Sequence, residues 1–308
     1  MLTGTKETLR GFTPWVRRFA IQDSMSDRSI ALSTMPPVPA WRAVHVVAVD
    51  AAGAAGTASS TVAEETPVGV RYNGFAHAVM MATPDALADF ALGFSLTEGV
   101  IESADEILNL DIREEDEGLA LEIVLAPAAL HRYLAGRRVR RLNGNTSCGL
   151  CGTQDLRDVQ GPPMRVQAPR QPAPVEFTLA LEALRAFQPL SRLTRGAHAA
   201  AWIGNDGAIK AVREDVGRHN ALDKLIGAGL AGGFAPDDGF CLITSRCSFE
   251  MVQKAVRAGF GILVAAAAPT ALAIRTAHAA GLTLFSLDRG RGQLLYPAPD
   301  VKEVSPCP

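Results

Sequence analysis

The chain has 308 residues, 48% of them apolar and 20% charged, and 30 Lys and Arg against 32 Asp and Glu leave a formal net charge of −2. That is enough apolar material for one large core or two ordinary ones, and two domains are expected. The balanced charge excludes a global electrostatic drive toward nucleic acid, and the longest apolar run, Ile262 to Ile274, is too short for a membrane span and is interrupted by Pro269.

Residues 1–40, ending in Met35-Pro36-Pro37-Val38-Pro39, read as a flexible N-terminal extension. Arg10, Trp15, Arg17, Arg18 and Phe19 leave no continuous apolar core for a secretion signal, and cysteines are sparse, so a reducing cytoplasm is expected. Residues 41–142 form a small α+β domain on this reading. Arg42 to Ala48 and Thr66 to Met81 are β-rich and should pair, with the small-residue stretch Asp50 to Thr61 between them and a tight turn at Asn73-Gly74. Thr83-Pro84-Asp85 has the capping residue, proline and carboxylate of a helix start, Leu87, Phe90, Ala91, Phe94 and Ser95 its buried face, and Gly99 its stop. Leu108 to Ile112 and Leu119 to Leu125 read as strands around the acidic turn Glu114 to Gly118. A short helix from Pro127 leads to Arg137, Arg138, Arg140 and Arg141.

Residues 143–174 are a polar loop and connector carrying Cys148-Gly149-Leu150-Cys151. Neighbouring cations lower a cysteine's pKa and raise the thiolate fraction, the species that attacks sulfur or binds metal. Half of a zinc site is one reading, but Cys241, Cys247 and Cys307 supply no second pair at structural-site spacing. A thioredoxin-like dithiol would follow a strand and open a helix, whereas this pair sits mid-chain among Asn, Gly, Thr and Ser. The third reading is a thiol that carries sulfur as a persulfide.

Residues 175–308 change to alternating strand and helix. Leu179 to Phe187 and Ala221 to Leu230 are helical, and Ala199 to Ile203 and Ala208 to Val212 make a hairpin about Asn205-Asp206-Gly207. Phe240 to Thr244, Phe249 to Ala258, Ile262 to Ala266, Ala271 to Ala280 and Thr283 to Leu287 then read strand, helix, strand, helix, strand. Short apolar strands alternating with helices imply a sheet containing parallel strands, with ligands at the strands' C-terminal ends. There lie Ser245, Arg246 and the segment Leu287-Asp288-Arg289-Gly290-Arg291-Gly292, where cationic forks and glycine suit a phosphate. His198 and the run from Arg213 to Asn220, with Arg218 and His219, make a second polar cluster, in which Asp215 or Asn220 is expected to cap the next helix.

Several motifs together resemble the FdhD family, sulfurtransferases required for formate dehydrogenase activity. They are Thr83-Pro84, Ala91-Leu92-Gly93-Phe94 and Thr97-Glu98-Gly99; Ser147-Cys148-Gly149-Leu150-Cys151-Gly152; Thr194-Arg195-Gly196-Ala197-His198; Glu214 to Lys224; and Ser245 to Lys254. The resemblance runs from about Thr66 to Tyr296 and implies an α+β domain followed by a three-layer α/β cytidine-deaminase-like domain. It also implies that a cysteine desulfurase places a persulfide sulfur on Cys148, with Cys151 as its partner. The acceptor is then the molybdenum cofactor, bis-molybdopterin guanine dinucleotide, of a formate dehydrogenase catalytic subunit. Its GDP-like end would meet Leu287 to Gly292 and, on the residue reading above, Arg218, His219, His198, Ser245 and Arg246. No metal of the chain's own, no nucleic acid and no membrane are expected, and there is room for a homodimer. The rival classes are a cofactor-binding chaperone without sulfur chemistry, and a zinc deaminase, which the absence of a His-x-Glu signature disfavours.

Overall fold

The computed structural model describes residues 38–137, 164–166, 177–233, 235–288 and 290–297. Strands β1 (Trp41–Val49) and β2 (Ala55–Ala63) form an antiparallel ribbon, so the stretch expected to separate strands is itself partly a strand. Nearly all of β2 is exposed, so it carries no apolar alternation to betray it. Its turn is held locally, because Asp50 Oδ1 accepts from the N–H groups of Ala52 and Ala54, both at 2.9 Å.

Strands β3 (Thr66–Tyr72) and β4 (Phe75–Ala82) pair antiparallel about the expected turn, with Asn73 at φ 47° and Gly74 at φ 77°. Helix α1 (Leu87–Thr97), strands β5 (Ile107–Glu115) and β6 (Gly118–Leu125), and helix α2 (Pro127–Arg137) complete the first half, giving the sheet order β4-β3-β6-β5. α1 starts later than the capping signal predicts, at Ala86 in a left-handed conformation, φ 50°, with no side-chain cap. Thr83 is engaged elsewhere: its N–H donates to Asp215 Oδ2 at 3.0 Å, and its Oγ1 accepts from Val216 N–H at 3.1 Å. Gly99, at φ 74°, follows the helix end as expected.

The second half holds α3 (Phe177–Leu184), α4 (Pro189–Thr194), β7 (His198–Gly204), β8 (Ile209–Asp215), α5 (Arg218–Ala231), β9 (Gly239–Ile243), α6 (Phe249–Arg257), β10 (Ile262–Ala265), α7 (Ala271–Ala280), β11 (Thr283–Asp288) and β12 (Gly292–Tyr296). The strands form one sheet, β12-β11-β10-β9-β7-β8, in which β9, β10 and β11 are parallel and the other pairings antiparallel. The protein is therefore a mixed α/β structure. α4 and β12 are additions to the sequence reading.

One apolar cluster runs from Val70 and Phe90 of the first half to Leu222, Met251 and Leu263 of the second, so the two sheets share a core through α1, α5 and α6. A smaller cluster beneath α3 covers the sheet's other face with Phe177, Leu184, Ile203 and Phe240. α1 and α5 touch backbone to backbone. A Cβ on Gly93 would lie 1.8 Å from the Asp223 carbonyl oxygen, and one on Gly227 1.8 Å from that of Asp89, so only glycine fits at either position.

Candidate functional site

Because β8, β9, β10 and β11 point the same way and β7 opposes them, the C-terminal ends of four strands and the start of β7 share one edge of the sheet. His198 opens β7, Arg218 and His219 open α5, Ser245 and Arg246 follow β9, and Leu287, Asp288, Gly290, Arg291 and Gly292 lie around the β11–β12 turn. All of these fall on that edge. Cys148, Cys151, Arg138, Arg140, Arg141 and Arg289 lie outside the described residues.

The edge is not one cluster. From β7 to β11 are three strand spacings, on the order of 14 Å, which separates His198 from the β11–β12 turn. Within that turn Asp288 Oδ1 accepts from the N–H groups of Gly290 and Arg291, both at 2.8 Å, and these bonds hold its carboxyl below the usual range. Two amides read from sequence as phosphate donors are thus occupied by the chain's own carboxylate. Ser245 is buried, its hydroxyl bonded to the Arg246 carbonyl at 2.9 Å, while Arg246 is exposed.

Much of the charged motif from Asp215 to Lys224 is structural. Asp215 and Lys224 are fully buried, Oδ2 to Nζ 2.7 Å apart. Asp215 Oδ1 accepts from Gly217 N–H at 2.7 Å and Asn220 Nδ2 at 3.1 Å, while Lys224 Nζ donates to the Thr83 carbonyl at 2.9 Å. Asn220 Nδ2 also donates to the Met81 carbonyl at 2.7 Å. Neither Asp215 nor Asn220 caps α5, whose N-cap is Gly217; together they tie β4 and the segment after it to α5. Asp223 accepts from Thr97 Oγ1 at 2.7 Å and pairs with Lys254 Nζ at 2.9 Å, joining α1, α5 and α6.

Arg218 and His219 are left over. Arg218 Nε and His219 Nε2 are buried and have no hydrogen-bond partner among the described residues. His219 Nε2 stands 3.8 Å from Glu250 Oε2, beyond hydrogen-bond length. Burial pushes the Glu250 carboxyl up, and the neighbouring His219 and Ser248 more than offset this, leaving it below the usual range. A buried polar atom left unsatisfied costs about 1–3 kcal/mol, so these two nitrogens are candidates for contact with a ligand or with residues outside the described ones.

Next to them, burial and then the Arg218 guanidinium push the His198 pKa below the ordinary histidine value, which favours the neutral ring. His198 borders a cavity of about 440 Å³ whose other polar walls are Arg185, Gln188, Ser191, Arg192 and Thr244. Two guanidiniums and neutral donors suit an anion. The residues on and before α4 were missed from sequence, although Pro189 just beyond an apolar helix is a restart signal.

Cys241, in β9, and Cys247, ahead of α6, are free thiols inside the core. Burial pushes both thiols up, Cys247 to about 12, so neither is a thiolate at neutral pH. Among the described residues there is no group of three or more His, Cys, Asp or Glu placed to hold a metal ion, and no helix long and apolar enough to cross a membrane.

Residues 63–301 match the model of the FdhD/NarQ family. The chain belongs to that family. It is 43% identical over 255 residues to the sulfur carrier protein FdhD of Bordetella petrii, which covers 82% of this chain and 90% of the relative. With the sulfur carrier protein FdhD of Cupriavidus necator the identity is 46% over 242 residues, 77% of this chain and 82% of the relative. The solved structure of a protein described as a formate dehydrogenase accessory protein, from Desulfotalea psychrophila, matches with a TM-score of 0.64 over 85% of this chain and 99% of its own at 23% identity, a likeness of fold. Within the FdhD/NarQ match fall the Cys148 pair, the α1–α5 crossing glycines and the polar edge of the larger sheet.

Proposed function

We propose that this FdhD/NarQ family member is a sulfur carrier in formate dehydrogenase maturation, loaded in the cytoplasm by a cysteine desulfurase and discharging to the molybdenum cofactor. The observation that carries the reading is the state of the thiols. Relatives of this chain are named sulfur carriers, a carrier needs an accessible thiolate, and Cys241 and Cys247 are buried and protonated. The task then falls to the cysteines outside the described residues, Cys148, Cys151 and Cys307, and among these the family resemblance assigns it to Cys148, in Cys148-Gly149-Leu150-Cys151. In loading, the Cys148 thiolate attacks the outer sulfur of the donor's persulfide, a new S–S bond forms at Cys148, and the donor cysteine leaves as its thiolate.

The cofactor, as cargo, supplies a nucleotide end rich in hydrogen-bond acceptors. The buried Arg218 Nε, the His219 ring and the cavity bearing Arg185 and Arg192 fit such a group, and they support placing its GDP-like moiety at the His198 side of the edge. The order β8-β7-β9-β10-β11 with three parallel strands supports a cytidine-deaminase-like reading of this layer.

Mass spectrometry after incubation with a cysteine desulfurase and cysteine tests the assignment. Wild type, Cys241→Ala and Cys247→Ala should each gain one sulfur and Cys148→Ala none. The unpartnered nitrogens would equally serve a chaperone that binds the cofactor without sulfur chemistry. If Cys148→Ala loads like wild type, the assignment to Cys148 fails; if it loads nothing and still activates formate dehydrogenase, the carrier reading fails and the chaperone's prediction is met.

A further inference from the structure

The cavity wall beside His198 is one stretch of chain, residues 188–198, which supplies Gln188, Ser191, Arg192, Ala197 and His198, five of the nine lining residues. Its helix, α4, has only six residues and does not sustain itself in water. The first N–H groups of any helix lack partners within it, so what holds them decides where the wall stands. Here Gln188 makes no side-chain cap and Pro189 has no N–H. The two remaining donors, Leu190 and Ser191, both bond to Glu214, at 2.9 Å to Oε2 and 2.8 Å to Oε1. The Arg192 N–H already closes the first helical bond to the Gln188 carbonyl at 3.0 Å.

Glu214 can do this because of strand alternation. Its neighbours on β8 turn to the opposite face, Arg213 to Asp89 at 2.6 Å and Asp215 to Lys224 at 2.7 Å, which leaves Glu214 on the face where its carboxylate meets α4.

We propose that Glu214 is a positioning residue for ligand binding in this cavity: its carboxylate clamps the start of α4, sets where Ser191 and Arg192 stand beside His198, and lets the wall go when it is protonated. This rests on the nucleotide-site reading above. Burial pushes the Glu214 carboxyl above the ordinary glutamate value, while the Ser191 and Leu190 N–H groups and Arg192 pull it back in part. The two bonds need both carboxylate oxygens as acceptors, so the clamp belongs to the ionised form; protonation, which burial favours, turns one oxygen into a donor and removes one of the two acceptors. The other charges around it are Arg192 on α4, Asp85 ahead of α1, and His198 on the paired strand β7. His198 becomes cationic on acidification and would strengthen anion binding, the opposite trend, so the effect of Glu214 is read as the difference between two proteins that both keep His198.

GDP is the probe, titrated calorimetrically into the full chain from about pH 8 to about pH 5. Glu214→Gln keeps the shape but offers one acceptor and turns an NH2 toward a donor. It should bind GDP roughly tenfold more weakly at the alkaline end, and the gap should close toward the acid end as wild type loses the same clamp. Equal affinities, or a gap that does not change with pH, overturn the proposal. Hydrogen exchange at Leu190 and Ser191, corrected for intrinsic rate, reads the clamp without a ligand. Protection in wild type but not in Glu214→Gln at neutral pH, converging in acid, is expected; equal protection in both overturns it. If wild type binds no GDP at any pH, the nucleotide reading fails, and the exchange data still decide whether Glu214 holds α4.

Discussion

The Asp215–Lys224 pair gives an asymmetric prediction about stability. Without Lys224, Asp215 still accepts from Thr83 N–H, Gly217 N–H and Asn220 Nδ2, three donors that keep a buried carboxylate solvated by protein. Without the Asp215 charge, Lys224 Nζ keeps, among the described residues, the Thr83 carbonyl at 2.9 Å in a fully buried place. Asp215→Asn also turns an amide NH2 toward one set of N–H donors, so at least one of them loses its acceptor. Stranding a buried charge costs about 3–5 kcal/mol, whereas Lys224→Met removes the bonds to Asp215 and to the Thr83 carbonyl but leaves the Asp215 carboxylate its three donors and packs its methylenes against the same core. Urea unfolding followed by circular dichroism should therefore place Asp215→Asn below Lys224→Met in stability. The reasoning is refuted if Lys224→Met is the more damaging, or if Asp215→Asn unfolds within about 1 kcal/mol of wild type, the size of an ordinary substitution.

Gly227→Ala should separate α1 from α5, since its methyl group would meet the Asp89 carbonyl, and calorimetric melting should show a loss of about 3 kcal/mol or more, at or beyond the usual cost of overpacking. Arg218→Ala removes the guanidinium whose Nε lacks a partner and should weaken GDP binding by about 1.5–3 kcal/mol, measured by titration calorimetry. The same substitution removes one of the two influences that lower the His198 pKa, so an NMR titration should find His198 shifted upward but still below the ordinary value, because burial remains. Its sign in stability follows: a histidine whose folded pKa is depressed stabilises the protein above the unfolded value, near pH 6.5, and that contribution is lost as pH falls through the folded value. Arg218→Ala should reduce this acid-side loss.

The fold was legible where the signal was local. Alternating strand and helix from β9 to β11 shows in the sequence because each strand is a short apolar run and each helix carries an apolar face, and Asn73-Gly74 needs only its own φ angles to make a turn. It was not legible where neighbours decide. β2 has too few buried side chains to show a period, and Thr83, a good cap by composition, is claimed by Asp215 and Val216, 132 and 133 residues away. The site divides in the same way. His198, Arg218 and His219 were singled out by residue type, but Gly290 and Arg291 turn out to give their amides to Asp288. Cys148 and Cys151 lie outside the described residues and rest on sequence alone.

By itself the sequence determined the family, through motifs such as Cys148-Gly149-Leu150-Cys151 and the run from Glu214 to Lys224, and it determined the order and type of most elements. Those properties depend on residue identity and on contacts a few positions apart. Tertiary structure alone decided what the charged residues do. In one motif Asp215, Asn220, Asp223 and Lys224 became internal struts, Glu214 the acceptor for the first amides of α4, and Arg218 and His219 kept buried nitrogens without a partner among the described residues. The physical reason is that a charged side chain's role depends on whether burial has supplied it with a partner. Glu214 meets partners more than twenty residues away, and Asp215 meets, besides Lys224, Gly217 and Asn220 nearby, Thr83 more than a hundred residues away, brought near by the folding of both sheets onto one core.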